Sequence, residues 1–179
     1  INFSVQSGAL AAKSVREAAS GVDFVITMLP VGANVKEVYM NDGVISAADS
    51  GTVMIDTSTI DFETAQATNL AAKVAGFDMI DAPVSGGVTG ADAATLTFMC
   101  GGDKKSFDKA KPILASMGKN IVHCGKAGLG QVTKICNNML AGINALAAAE
   151  AMVMGERLGV SRETLYNVIS TSTGRSYIF

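Results

Sequence analysis

One histidine, three cysteines and no long apolar run narrow the chemistry open to these 179 residues before any motif is considered. The histidine, His123, stands at the end of an apolar run with no second ligand or nucleophile near it in sequence, so it reads as a satisfied structural side chain. Cys100, Cys124 and Cys136 are odd in number and have neither metal nor CxxC spacing, which points to reduced, mostly buried thiols. Nothing approaches about 18 uninterrupted apolar residues, and INFSVQSG has neither the basic nor the apolar region of a secretory leader. A membrane partner is not expected. Basic residues number 14 against 16 acidic, for a net charge of −2, and they are scattered, so a nucleic-acid surface is not expected either.

What is present is apolar substance: 49% hydrophobic residues and 17% charged, too much core for disorder and enough for one domain with part of another. Apolar runs of strand length recur at Val22 to Met28, Thr52 to Ile55, Phe77 to Ile80, Leu96 to Cys100 and Ile121 to Cys124. Helical patterns lie between them, at Asp61 to Ala75 and Lys104 to Met117, and Ser14 with Glu17 has capping-box spacing. The alternation predicts an α/β fold, a Rossmann-like and mostly parallel sheet covered on both faces. Ligands of such sheets bind beyond the carboxyl ends of the strands, here followed by LP, DTST and DAPVSGG.

Gly125 to Leu158 reads as a glycine-rich turn opening one long helix. From Val132 to Ala149 its only charged residue is Lys134. A helix apolar nearly all round is expected to be buried on most faces, so this ammonium either snorkels to water, pairs with a carboxylate or has a task. Asn138 follows one turn later, and together they suit a hydroxyl or carbonyl group. Gly128-Leu129-Gly130 is a weak dinucleotide fingerprint, because Thr133 occupies the third glycine position; the glycines serve close backbone approach. Gly86-Gly87 after Ser85 exposes amides to a ligand or simply turns the chain, and Asp81 orders its own loop. The methionines of Met139 to Met154 are core filler.

DAPVSGG at Asp81 to Gly87, TLTFMCGG, and GQVTKICNNML at Gly130 to Leu140 resemble the β-hydroxyacid dehydrogenase family, most closely its 3-hydroxyisobutyrate branch. ITMLP, IDTSTID and AEAMVMGERLG extend the likeness over nearly the whole chain. It implies a partial NAD-binding domain at 1–127, incomplete at its N-terminal end, then an interdomain helix and the start of an all-helical domain at 128–179 that mediates homo-oligomerisation. The family's glycine fingerprint would precede Ile1, and most of the helical domain, with a second lysine, would follow Phe179. By matching positions, Lys134 is catalytic, Ser85, Gly86, Gly87 and Asn138 bind substrate, and Leu29, Pro30, Asn34 and Thr59 touch the cofactor. No metal is implied.

The activity implied is hydride transfer between NAD, or NADP, and a small 3-hydroxy acid, foremost 3-hydroxyisobutyrate to methylmalonate semialdehyde in valine breakdown. The alternatives are reduction of tartronate semialdehyde, glyoxylate or succinic semialdehyde, and a non-catalytic fragment that keeps the fold. Asn137, where the more distant phosphogluconate enzyme has histidine, argues against that cousin. No arginine falls among Ile1 to Gln6, which favours NAD. The compartment would be the cytoplasm of a bacterium or the mitochondrial matrix of a eukaryote. Ala94 stands where the family commonly has glycine, which is tolerable if that backbone is not left-handed.

Overall fold

Val53–Asp56 is buried at every position, the reason its sequence lacks the alternation of a half-exposed strand. It is β2 in a computed structural model that describes residues 6–41 and 43–179. The segment used above to favour NAD falls outside the described residues except for Gln6. Helix α1 (Val15–Ala19) opens on Ser14, whose hydroxyl accepts from the Glu17 amide at 3.1 Å; the Glu17 carboxylate accepts instead from the Lys13 amide. β1 (Phe24–Thr27), α2 (Gly32–Lys36), a π-helical turn (Glu37–Asn41) and α3 (Val44–Ala47) precede β2. α4 (Phe62–Val74) starts where Asp61 caps the Thr64 amide at 2.8 Å. β3 (Asp78–Asp81), β4 (Val84–Ser85), α5 (Gly87–Asp92), β5 (Leu96–Gly101), α6 (Lys104–Leu114) and β6 (Gly118–Gly125) follow. α7 (Leu129–Arg157) and α8 (Arg162–Ile169) complete the order.

β1, β2 and β3 pair in parallel, and their last residues form one row, Thr27 opposite Asp56 and Asp56 opposite Asp81. At Asp81 the sheet changes direction. Asp81 faces Gly101 of β5 across an antiparallel pair, and the same chain continues through β4, where Val84 faces Phe98 and Ser85 faces Thr97. β6 then runs parallel to β5. The parallel sheet expected from the sequence is therefore joined to a pair of strands running the other way.

Successive β2 residues serve opposite faces. Val53 and Ile55 join Ile80, Phe98, Phe107 and Leu114 in the core beneath α6, while Met54 joins Val35, Tyr39, Val44, Ala65 and Ala72 beneath α2, α3 and α4. α6 stops at Leu114, three residues short of Met117, two residues after its internal Pro112.

Ala94 has φ +51, so the condition under which alanine would replace glycine freely is not met. The left-handed backbone explains why glycine suits this position, and alanine bears a cost of about 1 kcal/mol.

The chain divides into two compact units, Ile1–Lys134 and Ile135–Phe179. In the second, Leu165 of α8 packs directly on the backbone of Gly155. α7 is not buried there as its apolar sequence predicts: Met139 is 59% and Leu146 62% exposed. Composition states what a helix needs covered; among the described residues of this unit, only α8 and the segment after it could supply cover.

Candidate active site at the carboxyl edge of the sheet

The row Thr27, Asp56, Asp81 marks the edge where the sequence placed its ligand loops, and it is a hydrogen-bonded polar layer. Thr27 Oγ1 donates to Asp56 Oδ1 at 2.8 Å and accepts from the Tyr39 hydroxyl at 3.0 Å. Ser58 Oγ also donates to Asp56 Oδ1, at 2.6 Å, and accepts the Leu29 amide at 2.8 Å. The Leu29-Pro30 turn after β1 is thereby tied to the Ser58-Thr59 turn after β2. Burial pushes the Asp56 carboxyl above its ordinary range, against the lowering pull of the Ser58 and Thr27 bonds. No buried side-chain nitrogen or oxygen among the described residues lacks a partner. The layer is complete in itself, and Pro30, Asn34 and Thr59 remain exposed at its rim.

Asp81 does not order its own loop. Its Oδ1 accepts the Gly128 amide at 2.7 Å and its Oδ2 the Gln131 amide at 3.1 Å, so it caps the start of α7. Burial raises its pKa, opposed by those two amide bonds. Gly130 lies so close that an added Cβ would collide with the Met99 carbonyl oxygen and come within 2.6 Å of Asp81 Oδ2. This is the close backbone approach expected of the Gly128-Leu129-Gly130 turn.

Gln131 is the side chain that the sequence reading missed. It is 0% exposed, its Oε1 accepts the Ile60 amide at 3.1 Å, and its Nε2 donates to the Ser58 carbonyl at 2.8 Å. One carboxamide thus grips both neighbours of Thr59. The available signal was an amide residue one turn before a lone lysine in an apolar helix, with no local partner.

Lys134 lies one helical turn after Gln131. It is half-buried, and desolvation lowers its pKa. Its neighbours in the first turn of α7 are bonded to Asp81, from which the chain also continues as β4 to Ser85. Gly86 (φ +132) and Gly87 (φ +61) follow, both in backbone conformations that favour glycine, and Gly87 is exposed with open space where a Cβ would stand. Leu29, Pro30 and Thr59 are therefore brought together, and Lys134 is tied to them through Gln131. Asn138 belongs to the second unit, exposed, with Oδ1 accepting from Asn137 at 3.5 Å.

His123 is structural, as expected. A ring N–H donates to the Gly102 carbonyl at 2.8 Å, and the ring stacks on Phe107. Cys100 is buried and pushed up to about 12, Cys124 is half-buried and Cys136 exposed, all three as free thiols. Among the described residues no three His, Cys, Asp or Glu side chains gather as a metal site, and no helix is long and apolar enough to cross a membrane.

A family model for the NAD binding domain of 6-phosphogluconate dehydrogenase matches residues 2–125. One described as NAD-binding of NADP-dependent 3-hydroxyisobutyrate dehydrogenase matches 128–179. The chain is 45% identical over 173 residues, 96% of its length, to a probable mitochondrial 3-hydroxyisobutyrate dehydrogenase of Dictyostelium discoideum, and covers 54% of that protein. It is 42% identical over 174 residues to an NAD-dependent L-serine dehydrogenase of Pseudomonas aeruginosa, covering 97% of this chain and 58% of that one. The structure of Mycobacterium tuberculosis 3-hydroxyisobutyrate dehydrogenase with L-serine superposes with a TM-score of 0.91 at 43% identity, covering 99% of this chain and 60% of that one. The chain spans about half the length of the curated relatives it matches. With the NAD-binding model matching well over half of it, and the Rossmann-like sheet leading into a long helix, the chain belongs to the β-hydroxyacid dehydrogenase family, whose cofactor is NAD or NADP.

Proposed function

We propose that the protein containing this chain oxidises a small 3-hydroxy acid with NAD, 3-hydroxyisobutyrate to methylmalonate semialdehyde, with Lys134 as general acid and base. The observation that carries this reading is the hydrogen-bonded path from the Leu29-Pro30 and Thr59 turns through Ser58 and Gln131 to the helix bearing Lys134. The residues fit a dinucleotide: a self-satisfied buried layer leaves the polar Asn34 and Thr59 and the Pro30 ring at the ends of adjacent parallel strands. When bound, the nicotinamide would take or give the hydride. Lys134 Nζ, neutral, takes the hydroxyl proton as the C–H hydrogen departs with its electron pair, and returns it during carbonyl reduction. Its half-buried position lowers its pKa toward working pH, which favours both directions. Ser85, Gly86 and Gly87 offer a hydroxyl and amides to the substrate carboxylate, and Asn138 offers its amide to the substrate. The domain boundary after residue 127 is supported by the family models ending at 125 and beginning at 128. Oligomerisation through the C-terminal helices, and a bacterial cytoplasmic or mitochondrial location, belong to the same reading.

A second substrate, L-serine, is favoured by two relatives, the Pseudomonas NAD-dependent L-serine dehydrogenase and the Mycobacterium 3-hydroxyisobutyrate dehydrogenase whose structure includes L-serine. Serine and 3-hydroxyisobutyrate share a primary alcohol one carbon from the carbon bearing carboxylate and differ in an ammonium for a methyl, so the same lysine would serve both. Tartronate semialdehyde, glyoxylate and succinic semialdehyde remain the reductive alternatives.

In the complete protein, Lys134→Ala should lower turnover about 10²- to 10⁴-fold while leaving NADH binding intact. Lys134→Arg should be nearly as damaging, since arginine keeps the charge but cannot surrender a proton at working pH. Parental oxidation should rise with pH through a pKa below the ordinary lysine value, and that limb should vanish in Lys134→Arg. Asn138→Ala should raise the substrate KM and slow turnover less. Near-normal turnover in Lys134→Arg would overturn the acid-base assignment. A panel containing 3-hydroxyisobutyrate, L-serine, tartronate semialdehyde, glyoxylate and succinic semialdehyde decides the substrate.

A further inference from the structure

We propose that Gln131 is a positioning residue that sets the spacing between the cofactor turn at Thr59 and the proton-transferring Lys134. The proposal rests on the reading above for the roles of Lys134 and Thr59, and on geometry for the link that Gln131 makes between them.

Three features combine in this residue. Its carboxamide is fully buried and uses one oxygen and one nitrogen on two consecutive turn residues, Ile60 N–H at 3.1 Å and Ser58 C=O at 2.8 Å. The exposed Thr59 between them is held from behind without being touched. The Gln131 backbone amide is fixed in turn by Asp81 Oδ2 at 3.1 Å, so the side chain projects from a helix start that cannot rotate without breaking that bond. Lys134 follows one turn later on the same rigid helix. Rotation or sliding of this turn would move Thr59 and Lys134 together only while the carboxamide holds both bonds. Of the side chains of this length that are ordinarily uncharged near neutral pH, glutamine is the one that offers donor and acceptor in one carboxamide plane.

Gln131→Met keeps the length and removes both polar groups. In the ligand-free complete protein it should speed hydrogen exchange of the Ile60 amide, and it should weaken NADH binding and lower turnover each by roughly 10- to 100-fold through misplacement. Gln131→Glu supplies a titratable mimic: protonated, its hydroxyl donates to Ser58 C=O and its carbonyl accepts from Ile60; ionised, it sets a charge against the Ser58 carbonyl oxygen. Its NADH affinity and reductive turnover, each divided by the parental value at the same pH, should approach one in acid and fall as pH rises.

Unchanged Ile60 exchange and NADH affinity in folded Gln131→Met would overturn the proposal. If Gln131→Met does not fold, Gln131→Glu decides, and a ratio constant with pH, or failure to fold even in acid, overturns it. A role in stability alone would lower the folded fraction while leaving the NADH dissociation constant and the pH profile of the folded enzyme unmoved. Lys134→Ala, measured alongside, separates the two ideas: if it kept turnover, the catalytic reading would fall, while the exchange and binding results on Gln131 would still stand or fall by themselves.

Discussion

Asp78 and Asp81 lie three residues apart on one strand and are pulled in opposite directions. At the amino end, Asp78 takes a hydrogen bond from Lys109 at 2.5 Å and one from Ser106 at 2.9 Å, with Lys105 at 3.8 Å. These partners, Lys109 first, hold its pKa below the ordinary carboxylate range. At the carboxyl end, Asp81 is buried beside Asp56 and has only backbone amides for partners; burial raises its pKa. The sign of the pH dependence follows. Asp78 contributes stability that is present above the unfolded carboxylate pKa of about 3.9 and is lost as pH falls through its lower folded value. Asp81 acts the other way, favouring the fold below about 3.9 and losing that contribution as pH rises through its raised folded value. One end of the strand is fastened to α6 by charge. The other spends a carboxylate on holding the helix that carries Lys134.

The largest effect that would sharpen this contrast is expected from Asp81→Asn. An amide can accept from Gly128 or from Gln131 but not both, so one buried N–H loses its partner at a cost of about 1–3 kcal/mol, and turnover should fall with it. Thermal unfolding and steady-state kinetics check both; full activity would break the link between the cap and the site. Ala94→Gly should raise stability by about 0.5–1 kcal/mol, because relief of the left-handed strain exceeds the added entropy of the unfolded chain. Denaturant midpoints measure it, and kinetic constants should not move. Asp78→Asn is expected to do least near neutral pH, within the 0–1 kcal/mol typical of exposed pairs, and to flatten the acid limb of a stability-against-pH curve. An acid limb that survived unchanged would place the titrating group elsewhere.

β2, β3 and β5 were legible because burial on both faces selects unbroken apolar runs, and the cap at Ser14 because its partner is three residues away; Asp61, read as the first residue of a helix, is instead its cap. The glycines of the α7 turn announced close approach, and Gly130 makes it. The role of Asp81 was not legible, since its partners lie 47 and 50 residues on and nothing local distinguishes a helix cap supplied from afar from an ordinary loop aspartate. Gln131 was hidden for the same reason, its carboxamide partners lying 71 and 73 residues back. The turn to antiparallel pairing after Asp81 left no mark in composition, because β5 is as apolar as its parallel neighbours. The exposure of α7 beyond Gln131 shows the limit of hydrophobicity as a guide to burial.

Those separations also set an order of assembly. Ser85 and Thr97 meet across 12 residues, whereas Gln131 must find Ser58 across 73. The entropy of closing the longer loop is greater by roughly 1.6 kcal/mol, (3/2)RT ln(73/12), unless intervening structure has already shortened it. The sheet is therefore expected to form first and the glutamine latch to close on a finished edge. In a refolding chain pulsed with deuterium, the Ile60 amide should gain protection after the strand amides; simultaneous protection would show that the edge and the latch form in one step.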